Sequence, residues 1–170
     1  MIEHLRETEE ILKGVKTTVN TYLYFAYGSN MNHCQMKKRC PESSFISKGK
    51  LEGYEFVYDG FSVKWKGAVA NIIKKEGSVE GGIFKITESD RDLLDCYEGF
   101  PRSYQRSELP VKDAGGNICK AYVYMRYSEK RGTPSYPYRK TVIQGARDCG
   151  LSECYIKGFL EGESGDAGKG

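Results

Sequence analysis

Two short segments of this chain combine residue types and spacing that can do chemistry. The first is Tyr24-Phe25-Ala26-Tyr27-Gly28-Ser29-Asn30-Met31. An apolar run breaking into Gly-Ser-Asn presents consecutive backbone N–H groups beside a predicted helix start. Such a nest suits a carboxylate or a developing oxyanion. The same residues also suit an ordinary strand-to-helix turn. The second segment is Leu94-Asp95-Cys96-Tyr97-Glu98-Gly99-Phe100-Pro101. Glu98 falls in the last turn of a predicted helix, where the macrodipole disfavours a negative charge by ~0.3–1 kcal/mol. Tyr97 and Phe100 supply apolar neighbours, and both effects raise a carboxyl pKa. A raised carboxyl suits proton transfer near neutrality. A solvent-exposed Glu at a frayed helix end is the plainer alternative.

Other chemistries find no support. The chain has no G-x-S-x-G, H-E-x-x-H or G-x-G-x-x-G. Ala167-Gly168-Lys169-Gly170 imitates the end of a phosphate loop but lacks its first glycine and its following Ser/Thr. Cysteines stand at 34, 40, 96, 119, 149 and 154, and none forms a C-x-x-C pair. With only His4 and His33 beside them, the reading is free thiols, and a His-rich metal site is not expected.

The elements that must position these segments follow from pattern. A weak helix is predicted over residues 3–14 and a buried strand over 22–27. A helix over about 32–39 closes at Cys40-Pro41. Four strands are predicted near Ser44–Leu51, Tyr54–Asp59, Ala68–Lys74 and Val79–Ile86, separated by glycine-containing breaks. Thr87 caps the helix that carries Glu98, Leu93, Leu94 and Tyr97 form its inward stripe, and Gly99 ends it. Strands Tyr104–Lys112 and Ile118–Met125 flank a Gly115-Gly116 hairpin. Helices over Pro137–Cys149 and about 152–160 complete the order. The pattern is α+β, a small mixed β-barrel with peripheral helices. Residues 1–20 read as an N-terminal extension, 21–160 as the domain and 161–170 as a disordered tail.

A net charge of +3 is too weak to point to nucleic acid. Clusters such as Lys37-Lys38-Arg39 and Lys64/Lys66 read as solvated faces. No apolar run approaches the ~18 residues of a membrane span. The polar opening, Met1-Ile2-Glu3-His4-Leu5-Arg6-Glu7, does not read as a secretory signal. The expectation is a cytoplasmic protein without nucleic-acid or membrane partners, monomeric or homodimeric.

Together the two segments resemble the γ-glutamylcyclotransferases. Tyr-Phe-Ala-Tyr-Gly-Ser-Asn-Met is similar to that family's Tyr-Gly-Ser-Asn loop, and Leu-Asp-x-Tyr-Glu-Gly to the segment carrying its catalytic glutamate. The likeness continues through Trp65–Ile72, Glu80–Phe84, Pro134–Lys140, Gly145–Arg147 and Gly150-Leu151, in order, over roughly residues 22–160. It implies a small β-barrel without metal or cofactor and a small-molecule γ-glutamyl substrate. Tyr27, Gly28, Ser29 and Asn30 would surround the γ-glutamyl group, Glu98 would be the catalyst, and Tyr104, Tyr127 and Tyr138 would be cavity aromatics. The first 20 residues, Tyr97 before the glutamate and the 128–137 loop depart from better-known members.

The implied reaction closes a five-membered lactam. The substrate's α-amine attacks its own γ-carbonyl, giving 5-oxoproline and a free amine, and no protein nucleophile is required. The loop amides would hold either the α-carboxylate or the carbonyl oxygen. A silent ligand-binding or stress-response protein on the same scaffold is the rival reading. A second rival is an enzyme for γ-glutamyl-lysine-type amines.

Overall fold

The computed structural model describes residues 18–161. The helix expected over 3–14 and most of the tail expected from 161 lie outside the described residues. Five strands form a closed barrel: β1 (Thr21–Ala26), β2 (Ser44–Ser62), β3 (Gly67–Thr87), β4 (Gln105–Asp113) and β5 (Ile118–Met125). Their order around the barrel is β1-β3-β2-β4-β5. The pairings are antiparallel except the closing one, where β1 meets β5 in parallel at Tyr24 and Tyr122. The barrel is therefore mixed, as the sequence pattern implied.

The four strands expected between 44 and 86 are two. β2 and β3 form one long hairpin that bends where its register shifts between Glu52 and Tyr54. Gly53 there has φ +83°, a conformation glycine adopts without Cβ strain. The glycine breaks are bends within a continuous ladder rather than strand ends.

Helices decorate the barrel: α1 (His33–Arg39), α2 (Glu88–Glu98), α3 (Tyr136–Asp148) and α4 (Glu153–Tyr155), which runs into a π turn over Ile156–Leu160. Phe25, Leu51, Ile72, Ile83, Val111 and Leu94 are fully buried, and their exclusion from water is the dominant folding term. Ile156 and Leu160 are buried as well, and the Tyr58 hydroxyl donates to the Leu160 carbonyl at 2.7 Å. The last turn is thus fastened to β2.

Candidate active site

One end of the barrel opens into a cleft of about 700 Å³, walled by the ends of β1 and α2, the start of α3 and the β2–β3 turn. β1 ends at Ala26, and after Gly28 the chain makes a single 3₁₀ turn over Ser29–Met31. A Cβ at Gly28 would stand 2.9 Å from the Ala70 methyl, so glycine lets the loop lie against β3. From outside, α3 presses Gly145 onto the backbone of Met31 and Asn32, leaving no room for a side chain. The Asn32 side chain accepts from the Gln35 amide at 3.0 Å and caps α1. The Met31 and Asn32 amides donate to the Gly28 and Ser29 carbonyls. Those of Ser29 and Asn30, residues that line the cleft, have no acceptor among the described residues.

α2 delivers Glu98 from the other wall. A capping box between Thr87 and Asp90 starts the helix. Leu94 anchors it in the core, whereas Leu93 and Tyr97, expected beside it on an inward stripe, are exposed. Gly99 in the left-handed conformation ends it. The Tyr104 amide donates to the Glu98 carbonyl at 3.2 Å, fixing the residue's backbone. By area Glu98 is half-buried, because it opens onto the cleft. Protein nevertheless encloses its carboxyl, and burial pushes it from an ordinary 4.5 up to about 7. Arg39 and Arg126 oppose that rise. The Asn30 Nδ2 donates toward Glu98 Oε1 at 3.5 Å and to the Tyr24 hydroxyl at 3.1 Å.

The expected aromatics have mainly architectural contacts. The Tyr27 hydroxyl donates to the Tyr124 carbonyl at 2.5 Å. Tyr104 donates to the Ala70 carbonyl and Tyr138 accepts from the Ala70 amide, each at 2.9 Å. The two tyrosines grip one residue of β3 by both its backbone groups. Burial pushes the Tyr104 phenol up to about 12, and Tyr27 and Tyr138 well above their usual range. Seven of the eight expected residues therefore line one cleft: Tyr27, Gly28, Ser29, Asn30, Glu98, Tyr104 and Tyr138.

Tyr127 does not. It is 92% exposed and lies outside the lining. The Arg126 side chain pairs inward with Asp59, while the next side chain, Tyr127, faces solvent.

Arg126 is among the residues that sequence reasoning missed. It pairs with the fully buried Asp59 at 2.6 Å, and its guanidinium lies 5.2 Å from the centre of the Tyr104 ring. Asn71, also fully buried, donates to Asp59 and to the Arg126 carbonyl. The signal was an Asp and an Asn inside otherwise apolar strand runs. Asp95, one turn before Glu98, accepts from Arg106 and from the Tyr124 hydroxyl. Arg39, expected on a solvated face, is half-buried at the cleft, while Lys37 and Lys38 are exposed as expected.

Residues 24–140 match the family model described as gamma-glutamyl cyclotransferase, AIG2-like. The chain belongs to this family. It is 30% identical over 143 residues to a mouse gamma-glutamylcyclotransferase, covering 79% of this chain and 75% of that protein. A human gamma-glutamylcyclotransferase is 30% identical over 139 residues, covering 77% and 73%. A solved gamma-glutamyl cyclotransferase structure superposes with a TM-score of 0.79 at 26% identity, over 88% of this chain and 93% of that one. The family match spans the Gly28–Asn30 loop, Glu98, Tyr104 and Tyr138.

Proposed function

We propose that this γ-glutamylcyclotransferase-type enzyme converts a γ-glutamyl amino acid or amine into 5-oxoproline and the free amine, with Glu98 as its general acid and base. One observation carries the assignment. Glu98 lines the cleft together with the loop and the tyrosines, and burial pushes its carboxyl to about 7, whereas Glu129, which also lines the cleft, is largely exposed. A carboxyl near 7 both accepts and returns protons at neutral pH.

The sequence of steps balances on that one group. The substrate's α-ammonium gives a proton to the Glu98 carboxylate. The freed amine attacks the γ-carbonyl, forming the ring C–N bond and placing charge on the carbonyl oxygen. The amides of Ser29 and Asn30 are available to receive that oxygen or the α-carboxylate. As the bond to the departing nitrogen breaks, Glu98 returns its proton to that nitrogen. The carboxylate then takes the second proton from the new ring nitrogen and passes it to the released amine, which leaves as an ammonium, and Glu98 is restored. Holding the chain folded back makes attack intramolecular, which lowers the barrier by several kcal/mol, up to ~7–11.

The test is to incubate the protein with γ-glutamyl-alanine, ε-(γ-glutamyl)-lysine and glutathione and measure 5-oxoproline. Release from at least one is expected, and the ranking reveals the preferred amine. Saturable binding without any release would put the silent ligand-binding reading ahead.

A further inference from the structure

One cation lining the cleft is hidden by composition in a basic cluster. Arg39 closes α1, and its Nη1 donates to the Asn30 Oδ1 at 2.9 Å. Gln35 donates to the same oxygen at 3.1 Å and to the Ser29 hydroxyl at 2.8 Å. Because a guanidinium only donates, the Asn30 oxygen must face Arg39. The Asn30 amide edge is thereby turned to Tyr24 and Glu98.

The two arginines near Glu98 differ in how their charge is engaged. Arg126 is paired with the buried Asp59 and stands 3.7 Å from Glu129. Among the described residues Arg39 makes no ion pair. Its guanidinium lies 4.8 Å from the centre of the Tyr97 ring, on the residue before Glu98, a contact that orients a cation without neutralising it. The other polar or charged groups around the carboxyl are Asn30 from the loop, Tyr24 from β1, Tyr27 just after it, Tyr104 before β4 and Tyr138 from α3. Arg102, Lys64 and Glu129 stand farther out along the same cleft.

We infer that Arg39 is a positioning residue for the proton transfer: it holds the Asn30 amide edge toward Glu98 and supplies the positive charge that steadies the Glu98 carboxylate. The inference rests on Glu98 being the acid/base group of the proposed reaction. Arg39→Met removes both contributions, Arg39→Gln keeps a donor for Asn30 without the charge, and Arg39→Lys keeps the charge.

The experiment is the pH profile of kcat/KM for 5-oxoproline release, with an NMR titration of ¹³C-labelled glutamate carboxyls. Absence from Glu98→Gln identifies the Glu98 signal. In Arg39→Met the acid limb and the Glu98 titration should both move up by about one pH unit. kcat at pH 6.5 should fall about tenfold, with KM changed less than about threefold. Arg39→Gln should reproduce the shift, and Arg39→Lys should return the limb toward its original position. Thermal melts verify folding, and should Arg39→Met not fold, the Gln and Lys variants decide. An unmoved titration would overturn the inference, as would an unmoved limb with a raised KM, which would make Arg39 a substrate clamp. If the unaltered protein releases no 5-oxoproline, the proposed function fails, while the titration still decides whether Arg39 steadies the carboxylate.

Discussion

Glu98→Gln should make the protein more stable, and only above the pH at which the carboxyl ionises. In the unfolded chain Glu98 titrates near its ordinary 4.5; in the folded protein burial raises it to about 7. Below 4.5 the group is neutral in both states and costs nothing. Between 4.5 and 7 the folded state binds more protons than the unfolded one, so stability falls as pH rises; above 7 the full penalty is present. At about 1.4 kcal/mol per pH unit the rise corresponds to a ceiling of about 3.5 kcal/mol. Solvent entering by the cleft mouth reduces that to about 2 kcal/mol. Gln keeps an acceptor for the Asn30 amide and removes a negative charge from a helix C-terminus. For a chain of this size the gain is about 4–8 °C in Tm. Denaturant titrations of both proteins at pH 4 and pH 8 measure it. A gain at pH 8 that vanishes at pH 4 is expected. Equal differences at both pH values, or a Gln variant less stable at pH 8, would refute the reasoning.

Two further outcomes follow from the contacts. Tyr138→Phe leaves the Ala70 amide buried without its acceptor, so unfolding free energy should drop by about 1–3 kcal/mol. KM should rise more than kcat falls, as steady-state kinetics and melts on the same preparation will show. Tyr127→Ala removes an exposed ring from outside the cleft; kcat/KM should stay within about twofold and stability within about 0.5 kcal/mol.

Legibility in the sequence followed the range of the interactions. The helix bearing Glu98 was readable because Thr87, Asp90, Leu94 and Gly99 act within the segment itself. The strand ending in Gly-Ser-Asn was readable for the same reason. The long hairpin was cut into four because glycines at bends look locally like stops; only the continuing ladder shows that Gly53 bends a strand rather than ending it. Arg126 and Asp59 are 67 residues apart, and no local pattern announces their pairing. Arg39 looked like a third member of a solvated cluster, since only the packing of α1 on the 29–31 turn separates it from Lys37 and Lys38. Family resemblance supplied the role proposed for Glu98, and the burial that raises its pKa comes in part from β1, far away in sequence.

The measurement that bears most directly on the central claim is 5-oxoproline release by the unaltered protein and by Glu98→Gln, from pH 5 to pH 9, on the best substrate of the γ-glutamyl panel. The unaltered protein's kcat/KM should rise through an acid limb near pH 7, matching the buried carboxyl. Glu98→Gln, folded and still binding substrate, should lose about 10²–10⁴-fold in turnover at every pH. Near-normal turnover by Glu98→Gln, with the acid limb still in place, would contradict it.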